Sequence, residues 1–206
     1  MEKRIIRSNN YLTTKKMTVI AMLSAISAVL MVLEIQLPFS PSFIKFDFSD
    51  LPVMLGGVLL GPLAGIIIAC MKILLNFILN GTTTMFVGEL SNLVLTLAFV
   101  LPASCIYRKE RTRDNAIIGL IVSVIFTSLL SIISNIYFIF PLYGKMFGMS
   151  MSDIVNMVIV TNPLVKDIPT MIIFSLLPFN ILKYTVISII TMMSYKKLSY
   201  LFKKGS

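Results

Sequence analysis

Long apolar runs broken by short polar punctuation dominate the chain. Residues 17–33 carry no charge, and neither do residues 115–144, 168–182 or 184–195. The runs predict helices over about 16–36, 51–60, 62–80, 85–106, 114–140 and 167–196, each bounded by breakers. Pro38, Ser40 and Pro41 follow the first helix. Pro52 suits the first turn of the second. Gly61-Pro62 predicts a tight turn, and Asn80-Gly81 closes the third helix. Residues 141–166, with Pro141, Gly144, Gly148 and Pro163, read as a long outer loop holding at most a short helix. The two halves of 51–80 are each short for an upright span of about 20 residues, which leaves open whether that stretch crosses a bilayer once or twice.

Composition turns these helices into membrane helices. Hydrophobic residues make up 57% of the 206, and charged residues 13%, against about 25% charged in a soluble domain. The fold class expected is an all-α integral membrane protein with six transmembrane helices in one bundle. The net charge is +9, and its placement matters more than its size. Lys3, Arg4, Arg7, Lys15 and Lys16 precede the first apolar run. Arg108, Lys109, Arg111 and Arg113 fill one short connection, and Lys196, Lys197, Lys203 and Lys204 close the chain. These are 13 of the 18 basic residues, and under the positive-inside rule all three places are cytoplasmic. Both termini are therefore expected in the cytoplasm. Three parts follow: a basic tail over 1–15, a six-helix domain over 16–198 and a basic tail over 199–206. Basic residues flanking membrane spans point away from nucleic acid. The run 17–33 is long for a signal-peptide core and lacks a clean cleavage site, so it reads as a retained helix.

Much chemistry is excluded. The chain has no histidine, no phosphate-cradling G-x-x-x-x-G-K-[ST] loop and no G-x-S-x-G elbow. Its two cysteines, Cys70 and Cys105, make neither a disulfide framework nor a metal site. No metal, cofactor or enzymatic activity is expected. Ligand capture fits better, because polar side chains are set deep in the apolar runs. Lys183 lies about 20 Å from the end of a helix finishing near Lys196, where a lone lysine costs about 3 kcal/mol. Asn180 shares its helical face. Lys72 and Asn76 form a second intramembrane polar pair, and Lys72 is expected to pair with a carboxylate such as Asp50 or Glu89. Thr127, Ser131 and Ser134 form a stripe that should face protein. Asn135 follows it.

Two readings of Asn180 and Lys183 stand side by side: a ligand site, or an interhelical polar clamp. If Lys183 is an isolated buried charge that meets a ligand, methionine there should weaken binding while the fold survives. The loop before residue 51 carries Phe39, Phe43, Phe46 and Phe48, as interfacial anchors or as a lid. The small residues Ala21 and Ala25, with Ser24 and Ala28, permit close helix approach, either within the bundle or to another chain.

Several motifs in one order resemble a known family. They are Phe46-Asp47-Phe48-Ser49-Asp50-Leu51-Pro52, Gly61-Pro62-Leu63-Ala64-Gly65, Gly88-Glu89-Leu90-Ser91-Asn92, Ser134-Asn135-Ile136-Tyr137 before Pro141-Leu142-Tyr143-Gly144, and Pro178-Phe179-Asn180-Ile181-Leu182-Lys183. From Lys16 to Lys197 the chain resembles the substrate-binding S components of energy-coupling factor vitamin transporters, the riboflavin-specific type above all. That resemblance implies a six-helix bundle in the bacterial cell membrane that captures a vitamin near its outer face. It implies partners as well: a transmembrane T subunit and two ABC-type ATPases. It assigns riboflavin contacts to Asn135, Asn180 and Lys183. It places Phe46 and Phe48 in a closing loop, and Gly88 and Asn92 at the outer end of the fourth helix. Ala21 and Ala25 would face the T subunit. Tyr184 stands where the family has a small residue, narrowing the pocket or facing lipid, and Ser91 stands where it has alanine. The alternatives are another vitamin, pantothenate or thiamine, and a self-contained proton-coupled carrier using Glu89 or Lys72. Against the carrier, no internal repeat of the kind common in such proteins is evident.

Overall fold

The computed structural model describes residues 13–40, 44–82 and 84–204, with side chains as far as Tyr195. Most of the expected tail over 1–15 and Phe43 lie outside the described residues; Lys15 is already helical. The described residues form an all-helical structure without a strand. Five helices are long and apolar enough to cross a membrane: Thr14–Val32, Pro62–Asn80, Val87–Lys109, Arg113–Phe147 and Ile168–Tyr195.

Thr13 caps α1 (Thr14–Val32), its hydroxyl accepting from the Lys16 amide. The helix ends at Val32 rather than near 36. Ile35 and Phe46 exchange backbone hydrogen bonds of 2.7 and 2.8 Å, which demands extended backbone at Ile35 and clasps the two ends of the connection to α2. That connection delivers Asp47 and Asp50 to the bundle interior.

Helices α2 (Asp50–Leu60) and α3 (Pro62–Asn80) have the expected bounds. Gly61, at φ 111° and ψ 166°, makes the turn between them, a conformation open to glycine and strained for other residues. With 11 residues, α2 is about 16 Å long, well short of a bilayer core. It lies close against its neighbours because it can: a Cβ on Gly57 would come within 2.6 Å of Val100, and one on Gly65 within 3.2 Å of the Gly57 backbone. Small residues at such contacts supply the close van der Waals packing that holds helices together in lipid.

Next come α4 (Val87–Lys109) and α5 (Arg113–Ser134), packed along each other. Thr127, Ser131 and Ser134 are buried as their spacing predicts. The opposite face of α5, with Ile118, Ile121, Ile125 and Leu129, is exposed and apolar. This is the division expected of a helix with one side to protein and one to lipid.

The region expected as a loop over 141–166 is instead largely helical. A wide π-helical turn, Asn135–Ile139, continues α5 directly into α6 (Phe140–Phe147), and α7 (Met151–Ile159) follows, started by a capping box between Ser150 and Asp153. Pro141 does not stop the helix because it falls in the first turn of α6, just past the π turn, where the Phe140 amide reaches back five residues to the Asn135 carbonyl. Prolines are tolerated in a first turn. The arrangement recurs: α8 (Ile168–Met171), a π turn at Ile172–Leu176 and α9 (Leu177–Lys204) run on as one body, with Pro178 just after the wide turn. Both π turns lie at the same end of the bundle, beside α6 and α7, which share a hydrophobic cluster with them through Ile139, Phe140, Val158 and Leu176.

Candidate functional site

The α1 C-terminus, the α3 C-terminus, the α4 N-terminus and the α6–α7 cap surround a recess of about 520 Å³. A smaller cavity of about 110 Å³ lies beside it, between α4, the first π turn and α9. Lys45, Gly88, Asn92 and Tyr143 line both, so the two cavities adjoin across a shared wall. It occupies the end of the bundle away from the basic α4–α5 turn, since α4 runs from Val87 at the site to Lys109 at that turn.

Five of the residues singled out from the sequence converge on the smaller cavity: Gly88, Asn92, Asn135, Asn180 and Lys183. The π turns explain part of this geometry. Asn135 begins the first wide turn, and Asn180 lies one turn beyond the second. Such turns recur at functional sites because the extra residue re-aims side chains. Asn135 donates one amide hydrogen to the Ser131 carbonyl at 2.7 Å, and Asn180 one to the Leu176 carbonyl at 2.8 Å. That anchors each side chain and leaves its second N–H and its carbonyl oxygen for a ligand. In the larger cavity, the Asn76 carbonyl oxygen is buried and has no hydrogen-bond partner among the described residues. Buried polar atoms in that state are uncommon and call for a partner.

Beneath the site runs a chain of four buried charges. The Lys72 ammonium donates to Asp50 at 2.7 Å, Thr96 at 2.9 Å and Ser49 at 3.1 Å, so its three hydrogens have three acceptors. The pairing of Lys72 with Asp50 is one of the two expected from the sequence. Asp50 also lies 3.4 Å from Lys183, and Lys183 donates to Asp47 at 2.8 Å. Asp47 accepts in turn from the Ser49 amide at 2.8 Å. Signs alternate along the chain, which is how buried charges avoid the cost of standing alone. Lys183 therefore belongs to both readings left open above: it is clamped to Asp47 and it lines the cavity. Asp47 is the participant that sequence reasoning missed. The signal available was an aspartate flanked by Phe46 and Phe48 before an apolar helix.

Other expected residues fall differently. Phe46 is buried, and its ring meets that of Phe48 edge-on at 5.0 Å. Neither lines the two cavities; Ile44, Lys45 and Asp47 of the same segment do. Tyr184 turns inward, its ring 4.6 Å from that of Phe99 at a tilt of 38°, and lines the smaller cavity, so it narrows the site and does not face lipid. Ser91 lines it too. On α1 the small residues divide: Ser24, Ser27 and Ala28 are buried, while Ala21 and Ala25 are exposed.

Five membrane-length helices and the shorter apolar α2 thus form a bundle with a polar recess at one end, an architecture suited to holding a polar ligand. The family described as ECF transporter, substrate-specific component, matches residues 15–195, and the chain belongs to that family. It is thus a transport component and not an enzyme. It is similar to riboflavin transporter RibU of Staphylococcus aureus (strain TCH60), at 34% identity over 96% of this chain and 97% of that one. It is also similar to riboflavin transporter FmnP of Bacillus subtilis (strain 168), at 30% identity over 89% of this chain and 92% of that one. A solved structure of the S component of a bacterial ECF transporter shares the fold, with a TM-score of 0.72 and 33% identity over 92% of this chain and 98% of the other.

Proposed function

We propose that the chain captures riboflavin at the outer face of the bacterial plasma membrane and delivers it for ATP-driven uptake. One observation carries the reading: Asn135 of the first π turn and Asn180 and Lys183 of α9 converge on one cavity in a chain whose relatives are named riboflavin transporters. Riboflavin presents carbonyl and ring-nitrogen acceptors on a flat ring, together with a polyol chain. Amide N–H groups and an ammonium suit the acceptors. Phe179 and Tyr184 offer aromatic surface to the ring. Gly88 and Asn92, on the wall shared by the two cavities, and Asn76 in the larger one suit the hydroxyls. The segment that carries Phe46 and Phe48 supplies Ile44, Lys45 and Asp47 to the cavity walls.

In this reading all six membrane segments belong to the spanning bundle, with α2 making a short crossing with α3. Both termini lie in the cytoplasm, where the basic 108–113 turn also sits. The T subunit docks on the α1 face bearing Ala21 and Ala25, and two ABC-type ATPases drive transport. No cofactor takes part; riboflavin is cargo. The absorbance spectrum of the purified chain tests the ligand. A yellow preparation with flavin bands, or quenching of flavin fluorescence on titration, is the expected result. Binding of thiamine or pantothenate with none of riboflavin would overturn it.

A further inference from the structure

Three carboxylates line the larger cavity: Glu34, Asp47 and Glu89. Two are neutralised, Glu34 by Lys45 and Asp47 by Lys183. Glu89 has no ion-pair partner among the described residues. Its one hydrogen bond there is from the Thr84 hydroxyl, at 2.8 Å. It stands in the first turn of the 23-residue α4, where a helix N-terminus otherwise draws an outside anion. Here three of the amides that would greet one are already used: Val87 and Gly88 donate to Thr84, and Leu90 to Phe86. The larger cavity thus offers hydroxyl and amide partners, through Thr84, Asn76 and Asn80, together with one uncompensated negative charge.

We infer that Glu89 determines specificity by excluding phosphorylated ligands, so that the larger cavity takes a neutral polyol chain and rejects the same chain ending in phosphate. The inference rests on the flavin reading above, with the ring's acceptor edge at Asn180 and Lys183 and the polyol directed into the larger cavity. A phosphate ester carries a charge of about −1.5 to −2 at pH 7. Facing a half-buried carboxylate, it meets repulsion that bulk water would largely mask. The neutral vitamin meets none and donates its hydroxyl hydrogens to the same carboxylate.

The test is titration of the purified full-length chain with riboflavin and with riboflavin 5′-phosphate, read by flavin fluorescence, for wild type and Glu89→Gln. Glutamine keeps the acceptor for Thr84 and removes the charge. The preference for riboflavin over its phosphate should fall at least about tenfold in the variant. In the wild type the preference should also narrow as salt approaches about 1 M, where the Debye length is about 3 Å, a response that a purely structural role for Glu89 would not give. A Glu89→Gln protein that binds riboflavin with an unchanged preference overturns the inference alone, as does a wild-type preference insensitive to salt. Failure of the wild type to bind riboflavin at all overturns the flavin reading, and this inference with it.

Discussion

The Lys183 ammonium donates to Asp47 at 2.8 Å across 136 positions of sequence, tying the second turn of α9 to the segment that precedes α2. Both side chains are about 6% exposed. The pair revises an expectation. As an isolated buried lysine, Lys183 could be replaced by methionine without harm to the fold. With Asp47 depending on it, Lys183→Met leaves a buried carboxylate without its cation, a change that typically costs about 3–5 kcal/mol. Thermal unfolding in detergent, followed by circular dichroism, should show that loss. Lys183→Met with Asp47→Asn should recover most of the stability while riboflavin affinity stays low. Recovery of affinity together with stability would show that Lys183 is a clamp and does not touch the ligand.

Lys72 makes the contrasting case. It is fully buried, all three of its acceptors are protein groups, and it lines neither cavity. Lys72→Met should destabilise the fold by about 3–5 kcal/mol by removing the nearer of Asp50's two cations, at 2.7 Å, and leaving it only Lys183 at 3.4 Å. Riboflavin affinity in the folded fraction should shift by less than about 1 kcal/mol, since Lys72 lines neither cavity and couples to Lys183 only through their shared partner Asp50, an indirect link at the weak end of coupling between neighbours. A larger loss of affinity at preserved stability would place Lys72 in the binding machinery.

For the two asparagines the expectation is affinity without stability. Each anchors itself through one hydrogen bond to its own helix, so Asn135→Leu or Asn180→Leu removes little that the fold needs. Each should weaken riboflavin binding by about 1–3 kcal/mol if the amide meets the ring, the range for a buried polar group left unpaired. Fluorescence titration reads this directly. Unchanged affinity in both variants would remove the asparagines from the site.

How much of this was legible beforehand follows from which forces are local. Helix positions were, because the length of an apolar run and its Gly-Pro breaks are local; the α2–α3 turn at Gly61 matched its expected position. Lys72 with Asp50 was also legible, because a buried charge requires a partner and few were available. Asp47 was not, since nothing in its neighbourhood announces a lysine 136 positions away. The α1 end at Val32 was misplaced because a backbone pairing, Ile35 with Phe46, decides it. The helical cap over 140–159 was read as loop because prolines count as breakers unless the preceding turn widens, and that widening has no composition signal. Convergence of Asn135 and Asn180 depends on those same turns, so their meeting was expected only through family resemblance.

The exposed pair on α1 carries the final prediction. Ala21 and Ala25 lie one turn apart and face outward, while Ser24 and Ala28 take the inward face. Within lipid, hydrophobicity cannot drive two helices together, so close approach depends on such small residues. Neither alanine lines the ligand cavities, which lie beyond the other end of α1, near Met31 and Glu34. Ala21→Trp with Ala25→Trp should therefore leave riboflavin titration unchanged while abolishing copurification with the T subunit and ATP-dependent uptake in vesicles. Tryptophan on an exposed face disturbs no packing inside the bundle, so a lost complex would report the interface and not the fold. Recovery of the T subunit at wild-type yield would show that this face is not where the partner docks.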